Sequence, residues 1–353
     1  MTCVRRRSLL SLLCCLAVLL PAAATHAAEP AVLRVLAWPG YADPDVVRGF
    51  EQRHKVRVEL TLIDSDAALW QRMSAGRGLD FDVFAVNTAE LQRYIDAALA
   101  LPVDPAAIAN IRRQVPRFRQ VEAIPGLVRG GQVYGIPYTY AEMGLIYDRR
   151  QFVQPPDSIR ALWDPALRGR VLAYDGGAHN FSLAMLAGGA EQPFRIAADQ
   201  WRPAVERLIE LRRNVLGFYT QPDESVDLFR RHRVAVMLAN YGTQQLRLLR
   251  AAGADVGYVI PREGALAWLD CWVVARGVRD RPLVEAWINH MLEPEVSGLL
   301  VSRQGLGSTM AEAAENRPQD RLRWLEAVED VARRERLWAR VMSGDRLARV
   351  LAP

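Results

Sequence analysis

Residues 32–38, VLRVLAW, begin an alternation of strand and helix patterns that decides the fold of this chain. The apolar run predicts a buried β-strand. Asp43-Pro44 after it predicts the start of a helix, because an acceptor side chain is favoured at the N-cap and proline in the first helical turn. Apolar residues at positions 46, 47 and 50 supply the buried face of that helix.

The alternation continues to residue 86. Residues 56–62 alternate between apolar and polar side chains as a second strand, Ser65 or Asp66 caps a second helix, and residues 81–86 form a third strand. Strands separated by helices at this spacing predict a parallel sheet with right-handed crossovers. A ligand site in such a sheet lies beyond the carboxyl ends of the strands.

Three candidate binding residues follow the ends of these strands. Trp38 and Tyr41 follow the first strand, and Asn87 follows the third. Each also has a purely structural interpretation. The two aromatic residues would cover the edge of the core, and Asn87 would cap the next helix, since asparagine is a favoured N-cap residue.

The stretch PREGALAWLDCWVV, residues 261–274, carries the strongest candidate for a binding site. Trp268 and Asp270 are two positions apart, so in an extended segment their side chains leave the same face. An indole face attracts an organic cation by cation–π interaction, and a carboxylate holds it by a charge-assisted hydrogen bond. The alternative is a core tryptophan beside a solvated acid in a turn.

The rest of the chain predicts a second α/β unit. Residues 133–147 lead into it, and residues 171–174 and 234–239 are further strands. A helix with an apolar stripe follows over residues 282–292. No low-complexity linker separates the two units. The sequence therefore favours two lobes joined by short strands.

The first 28 residues are predicted to be a cleavable signal peptide. Residues 5–7 form a basic region, residues 9–20 an apolar region, and residues 25–28 a cleavage zone of small residues. The paired arginines also permit the twin-arginine route. We therefore expect a soluble periplasmic protein.

The composition argues against several classes of protein. Without the three signal arginines the net charge of +5 falls to +2, which is too even to indicate nucleic-acid binding. Cys271 is the one cysteine after the signal, so an internal disulfide is excluded and a packed core must supply the stability. No later apolar run reaches the roughly 18 residues that cross a bilayer.

Six stretches of the mature chain resemble the periplasmic solute-binding proteins of polyamine ABC importers, the spermidine and putrescine receptors. They occur in the order and spacing of that family, over essentially the whole mature length. The stretches are WPGYADPDVVRGFEQRHKVRVEL (38–60), DFDVFAVNTAEL (80–91), YGIPYTYAEMGLIYD (134–148), ALWDPALRGRV (161–171), IPREGALAWLD (260–270) and WINHMLEPEVSGLL (287–300).

The resemblance implies an α/β periplasmic-binding-protein fold of type II-like organisation. Each lobe is a sheet flanked by helices, and the ligand cleft lies between the lobes, which close on a solute about connecting strands. We expect residues 29–140 plus 271–313 in the N-terminal lobe and residues 141–270 plus 314–353 in the C-terminal lobe. The resemblance also implies a membrane permease and its ATPase as partners and a small amine as ligand. We expect a monomer with no cofactor and no enzymatic activity.

The resemblance also assigns roles to the candidate residues. Trp38 and Tyr41 are similar to the aromatic residues that flank the ligand, and Asn87 takes the place of a serine. Trp268 and Asp270 are similar to the aromatic wall and the amine-binding carboxylate of the family.

The chain departs from the family in its acidic residues. His179 stands where a glutamate is expected, and Tyr241 lies in a segment that lacks the aspartate of putrescine receptors. A buried ammonium needs an anion to offset its desolvation. With Asp270 as the one close anion, the solute would carry a single positive charge or one charged and one polar end. Asp175 is a candidate second anion or a solvated turn residue.

Other functions remain open on the sequence. A thiamine-cleaving enzyme on a similar fold uses a cysteine nucleophile, and Cys271 adjoins the predicted site, although alternation turns it away from Asp270. Related iron receptors use adjacent tyrosines, whereas Tyr138 and Tyr140 flank a threonine. A receptor for a neutral solute, or a sensor in place of an importer component, would share the same fold.

Overall fold

The computed structural model describes residues 30–312 and 321–352, and the predicted signal peptide lies outside them. Fifteen β-strands lie in the described part of the chain: β1 (Val32–Ala37), β2 (Arg57–Leu62), β3 (Val83–Asn87), β4 (Ala100–Leu101), β5 (Val128–Arg129), β6 (Gln132–Val133), β7 (Ile136–Glu142), β8 (Leu145–Asp148), β9 (Val171–Tyr174), β10 (Gly217–Tyr219), β11 (Val236–Leu238), β12 (Val256–Val259), β13 (Ala265–Ala275), β14 (Gly307–Ser308) and β15 (Leu322–Trp324).

Twelve α-helices lie in the same described ranges: α1 (Pro44–His54), α2 (Asp66–Ala75), α3 (Thr88–Asp96), α4 (Pro116–Arg119), α5 (Gly177–Ala187), α6 (Trp201–Asn214), α7 (Pro222–Arg231), α8 (Thr243–Ala251), α9 (Arg281–Met291), α10 (Pro294–Leu299), α11 (Val331–Met342) and α12 (Leu347–Val350). Single 3₁₀ turns and one π-helical turn, Leu300–Gln304, connect several of them. None of these helices is long and apolar enough to cross a membrane.

The first sheet has the strand order β14-β7-β13-β3-β1-β2, and β4 and β15 also pair with β13. Strands β1, β2 and β3 are parallel, as the alternation of patterns predicts. The central strand β13 runs antiparallel to both of its neighbours, β3 and β7. Its central position and length bury residues 269–275 in the largest core of the protein.

The second sheet has the strand order β10-β9-β11-β8-β12. The chain passes from the first sheet to the second between β7 and β8, and it returns between β12 and β13. The lobe boundaries expected from the sequence fall inside β7 and β13, whereas the pairing keeps each of these strands in the first sheet throughout. Two α/β units joined by short crossings are the two-lobe fold that the sequence predicts.

The crossing between β7 and β8 is fixed by a tyrosine of the second sheet. The Tyr258 hydroxyl donates to the carbonyl of Glu142 at 2.7 Å and accepts from the backbone N–H of Gly144 at 3.1 Å. An added Cβ at Gly144 would lie 2.6 Å from that hydroxyl, so the close approach requires glycine.

The lobes also touch at α8. The Thr243 hydroxyl donates to the Gly305 carbonyl at 2.6 Å, and an Arg247 N–H donates to the Val301 carbonyl at 3.0 Å. Both acceptors lie at the π-helical turn that precedes β14 of the first sheet. The two units therefore approach each other at more than the chain crossings.

A buried ion pair stabilises the amino end of the first sheet. Arg34 in β1 forms two side-chain hydrogen bonds with the Asp82 carboxylate, at 2.7 and 3.0 Å, and its backbone N–H donates to the same carboxylate at 2.8 Å. Burial alone would raise the pKa of Asp82, but the hydrogen bonds from Arg34 outweigh it and the pKa is lowered. The carboxylate form is therefore the form that the fold requires.

We expect Asp82→Ala to lower the free energy of unfolding by about 3 kcal/mol or more, because it leaves the buried Arg34 charge without its partner. Urea unfolding at neutral pH measures this loss. Asp80→Ala, at an exposed acid two residues away, is the control and should stay within about 0.5 kcal/mol of the wild type. Equal stability of the two variants would contradict a structural role for the pair.

Candidate ligand-binding site

The carboxyl ends of β1, β2 and β3 bring the candidate residues to one edge of the first sheet. Tyr41 follows β1, Asp66 follows β2, and Asn87 is the last residue of β3. Asp270 of β13 lies directly opposite Asn87 in the antiparallel ladder. Side chains of directly opposed residues share a face, with Cβ atoms about 5 Å apart, so Asn87 and Asp270 are neighbours.

Tyr41 and Asp270 form the centre of this group. The Tyr41 hydroxyl donates to Oδ2 of Asp270 at 2.7 Å, and both residues are buried. The Tyr138 hydroxyl donates to the Tyr41 carbonyl at 2.7 Å and the two rings meet edge to face, which fixes the position of the Tyr41 ring. The hydrogen bond between Tyr41 and Asp270 joins residues 229 positions apart in the sequence.

Asp270 is a buried acid without a cationic partner among the described residues. It is 5% exposed, and within the described residues its side chain forms a hydrogen bond with Tyr41 and no ion pair with an arginine, lysine or histidine. Burial raises the pKa of Asp270 to about 7, although the hydrogen bond from Tyr41 opposes the shift. Within residues 30–312 and 321–352 the fold thus holds a buried acid that no cationic side chain pairs with.

Asn87 has the structural role that the sequence analysis gives as the alternative to ligand binding, and its role toward a ligand stays a prediction. Its Oδ1 accepts from the backbone N–H of Glu90 at 2.9 Å, which caps α3. Its Nδ2 donates to Oδ1 of Asp66 at 3.2 Å. Asn87 therefore contacts the Asp66 carboxylate and is the strand neighbour of Asp270.

Asp66 is the residue that the sequence analysis missed as a site residue. Ser65 is the N-cap of α2 and accepts from the backbone N–H of Ala68, so the Asp66 carboxylate is not used as a cap. Burial and the nearby carboxylates of Glu90 and Asp270 raise the pKa of Asp66. The signal was its position after the second parallel strand, at the same edge as Trp38 and Asn87.

Trp268 and Trp38 border the carboxylate site. Trp268 is half-buried, packs against the cores of both sheets, and donates its Nε1–H to the Asn240 carbonyl of the second lobe at 2.9 Å. Trp38 is half-buried at the end of β1, and its carbonyl accepts from the backbone N–H of Tyr41 at 3.2 Å. No hydrogen-bond partner for the buried Nε1 of Trp38 lies among the described residues.

His179 and Tyr241 bring the second lobe to the same region. His179 lies in the first turn of α5, and burial together with the Arg334 charge lowers its pKa to about 4. It is therefore a neutral side chain at physiological pH. The Tyr241 hydroxyl donates to the Thr220 carbonyl at 2.7 Å, and its ring contacts that of Tyr174 edge to face.

Asp175 has a hydrogen-bond partner inside the second lobe. Its Oδ1 accepts from Nε1 of Trp338 at 2.7 Å, which ties the end of β9 to α11. This contact fits the interpretation of Asp175 as a structural residue, although the partner is the Trp338 indole and not solvent.

A cavity of about 210 Å³ is lined by residues of both lobes, and Tyr41, Trp268 and Asp270 are not among them. Asp66, Asn87 and Arg93 line it from the first lobe, and His179 and Phe194 line it from the second. No group of three or more histidine, cysteine or acidic side chains within residues 30–312 and 321–352 is arranged to hold a metal ion.

The raised pKa of Asp270 predicts a specific pH dependence of stability. From pH about 4 to about 7 the folded protein holds a proton on Asp270 that the unfolded chain has lost, so this contribution to stability falls as the pH rises. The difference in unfolding free energy between the wild type and Asp270→Asn should decrease by roughly 2–4 kcal/mol over that range. Tyr41→Phe keeps the carboxyl group, so its stability relative to Asp270→Asn should fall with pH in the same way. A difference between the wild type and Asp270→Asn that does not change with pH would contradict the buried-acid assignment.

The chain is similar to known solute-binding proteins in sequence and in fold. The family described as bacterial extracellular solute-binding protein matches residues 45–322. The putrescine-binding periplasmic protein of Escherichia coli is 23% identical over 287 residues, which cover 77% of this chain and 76% of that protein.

Two solved structures share the fold. The spermidine/putrescine ABC transporter substrate-binding protein of Streptococcus pneumoniae superposes with a TM-score of 0.72 at 20% identity, covering 91% of this chain and 99% of that one. A lipoprotein of Treponema pallidum superposes with a TM-score of 0.74 at 16% identity. The match covers 89% of this chain and 98% of that one.

Proposed function

Because this chain belongs to the family of bacterial extracellular solute-binding proteins, we propose that it captures a polyamine or related small organic cation by lobe closure. The cation then passes to the permease and ATPase of an ABC importer. Relatives named for putrescine and for spermidine/putrescine support this substrate class. The proposal is a binding role with no covalent step.

The observation that carries this proposal is the charge of Asp270. A buried carboxylate without a cationic partner is costly, because its lost hydration is not offset by a neighbouring charge. Only a neutral phenol, that of Tyr41, bonds it within the described residues. A ligand ammonium placed here would supply the missing partner and favour the ionised form.

The aromatic residues give the site its selectivity for an organic cation. Trp268 is two residues from Asp270 on the same strand, so its ring lies beside the carboxylate on one face. An ammonium or its adjacent methylene groups against an indole face gains cation–π and apolar contact. Trp38 and Tyr41 extend this aromatic surface along the carbon chain of the ligand.

Closure of the second lobe completes the site in this proposal. Trp268 donates a hydrogen bond to the Asn240 carbonyl across the cleft, and α8 contacts the turn before β14. Closing a cleft removes water from the ligand, which strengthens the interaction of a cation with a carboxylate. The closed form is the form that the permease would recognise.

Location and assembly follow from the same role. We propose export by a signal peptide over residues 1–28, a periplasmic location and a monomeric protein. We propose two lobes in the same sense, with each boundary moved from inside β7 and β13 to the segments that link the two sheets, and with those segments as the hinge.

The cysteine nucleophile of the enzyme alternative has poor support. Cys271 is fully buried, and burial together with the Asp270 charge raises the pKa of its thiol well above the usual value. A nucleophilic cysteine needs the opposite shift and access to substrate. We therefore propose that Cys271 is a core residue.

A thermal-shift screen of refolded, ligand-free protein tests the function. The compounds are 1,4-diaminobutane, spermidine, n-butylamine, choline, thiamine, arginine and the neutral 1,4-butanediol. A ligand at 100 times its dissociation constant adds about 2.7 kcal/mol of stability, enough to move the melting temperature by a few degrees. Shifts with amines support the proposal; a shift with the neutral diol alone would contradict a cation receptor.

We expect Asp270→Asn to weaken the best amine by about 2 kcal/mol or more, because a buried ammonium loses its charge partner. Isothermal titration calorimetry at pH 8 measures the change. Asp64→Asn, at an exposed acid near the same sheet edge, should bind as the wild type does. Unchanged affinity of Asp270→Asn would remove this residue from the site.

We also expect Trp268→Ala to weaken amine binding more than Trp268→Phe, because a benzene ring keeps part of the cation–π attraction. The same calorimetric titration compares the two variants. Neither variant can donate to the Asn240 carbonyl, so loss of that hydrogen bond is common to both. Equal losses would indicate that Trp268 contributes shape and the lobe contact, not attraction for the cation.

A further inference from the structure

We propose that the amino edge of the second sheet is a binding surface for an anionic phospholipid bilayer. This basic edge consists of exposed arginines and one exposed valine, and it lies at the end of the second sheet away from the candidate ligand site. The inference goes beyond the proposed function and takes from it only the proposed periplasmic location, where a membrane is near.

The topology of the second sheet brings five chain segments to the basic edge. Strands β9, β10, β11 and β12 begin there, and β8, which is antiparallel to β11 and β12, ends there. Backbone hydrogen bonds join the segments. The Gly169 N–H donates to the Asn214 carbonyl at 2.8 Å, and the Ala235 N–H donates to the Arg170 carbonyl at 2.7 Å.

The five segments carry an excess of positive charge. Seven arginines and two aspartates lie within residues 148–153, 168–170, 213–216, 231–235 and 253–255. The segments at the opposite, carboxyl edge of the same sheet contain no arginine or lysine within residues 175–179, 220–224 and 239–243. The second lobe is therefore polarised, with its positive charge at the end away from the candidate site.

Three of the seven arginines are paired with acids and four are not. The three ion pairs are Arg149 with Asp255 at 3.3 Å, Arg150 with Asp148 at 2.9 Å and Arg231 with Asp227 at 3.2 Å. Within residues 30–312 and 321–352, the arginines of this edge that form no ion pair are Arg168, Arg170, Arg213 and Arg233. All four are exposed, so their charge is available to an anion.

Structural roles account for only part of this free charge. Arg213 lies in the last turn of α6, where a cation interacts favourably with the helix dipole. Arg170 donates to the Gln151 side chain at 2.8 Å. The side chains of Arg168 and Arg233 form no hydrogen bond within the described residues, and Arg233 has a φ of +52°, a conformation that favours glycine.

An exposed apolar residue lies beside the arginines. Val153 is 99% exposed and follows Gln151, whose side-chain amide donates to the Arg233 carbonyl at 3.1 Å. The Phe152 ring meets that of Tyr147 edge to face, which anchors the turn before the valine. Val153 therefore projects from an anchored turn next to the unpaired arginines.

This combination fits a lipid surface better than a protein surface. Guanidinium groups bind phosphate through paired hydrogen bonds, and each basic side chain near an anionic leaflet adds attraction. A small exposed apolar side chain can enter the boundary between headgroups and acyl chains. Protein interfaces are enriched in aromatic residues, whereas Phe152 at this edge is half-buried against its own lobe.

Co-sedimentation of the mature protein with sucrose-loaded vesicles tests this surface. The vesicles contain phosphatidylcholine alone or phosphatidylcholine mixed with phosphatidylglycerol. We expect binding to the anionic vesicles only, and weaker binding as the salt concentration rises, because salt screens exposed charges. Absence of binding to both kinds of vesicle, or equal binding to both, would overturn the inference.

A combined Arg168→Gln, Arg213→Gln and Arg233→Gln variant should bind anionic vesicles about tenfold or more weakly than the wild type. The matched control carries the same loss of net charge in the first lobe, at three exposed arginines without an ion pair among the described residues: Arg48→Gln, Arg112→Gln and Arg113→Gln. Thermal unfolding checks that both variants are folded. Equal weakening of the two variants would show an effect of net charge alone and would overturn the inference.

A dye at residue 153 tests which end of the molecule meets the bilayer. Because Cys271 is fully buried, Val153→Cys supplies an accessible thiol for an environment-sensitive dye, and Leu62→Cys, at a 50% exposed position of the first sheet, is the control. Anionic vesicles should shift the emission from residue 153 to shorter wavelength and leave that from residue 62 unchanged. A shift at residue 62, or at neither position, would overturn the assignment. No amine enters these assays, so their failure leaves the proposed function untouched.

Discussion

The site depends on the antiparallel insertion of β13 between β7 and β3 in the first sheet. Because β3 ends at Asn87, the register that pairs Asn87 with Asp270 leaves residues 265–269 of β13 beyond the end of β3. Asp270 thus lies at the carboxyl edge of the sheet, and Trp268 extends far enough to reach Asn240 of the second lobe. A bulge opposite β7 falls between Asp270 and Cys271, and bulges commonly re-aim side chains near binding sites.

The core around this strand gives a solvent-poor setting for charge. Residues on either side of Asp270, such as Leu269 and Cys271, are almost fully buried. In such surroundings a carboxylate without a cation is destabilising, and the raised pKa of Asp270 expresses that cost. Asp82 differs from Asp270, because the Asp82 carboxylate is bound by Arg34 and its pKa is lowered. Arg34 thus offsets the charge of Asp82, whereas no described cationic side chain pairs with Asp270.

The second lobe is built to approach the site without adding positive charge. Arg334 is fully buried, but its guanidinium is saturated by Glu329, Ser182 and two backbone carbonyls. Its charge lowers the pKa of nearby His179, which already loses basicity through burial. His179, which lines the same cavity as Asp66, is therefore a neutral imidazole.

Local patterns in the sequence determined the strand–helix alternation, the start of α1 at Asp43-Pro44, and the pairing of Trp268 with Asp270 on one face, because these depend on neighbours a few positions apart. The tertiary structure alone decided that Asp66 bonds Asn87, the strand neighbour of Asp270, and that Asp175 is bound to Trp338. Asp66 and Ser65 were equal cap candidates in the sequence, and only the fold shows that Ser65 caps α2. The pairing of Asn87 with Asp270 depends on the register of two strands that are distant in the sequence, which no local pattern encodes.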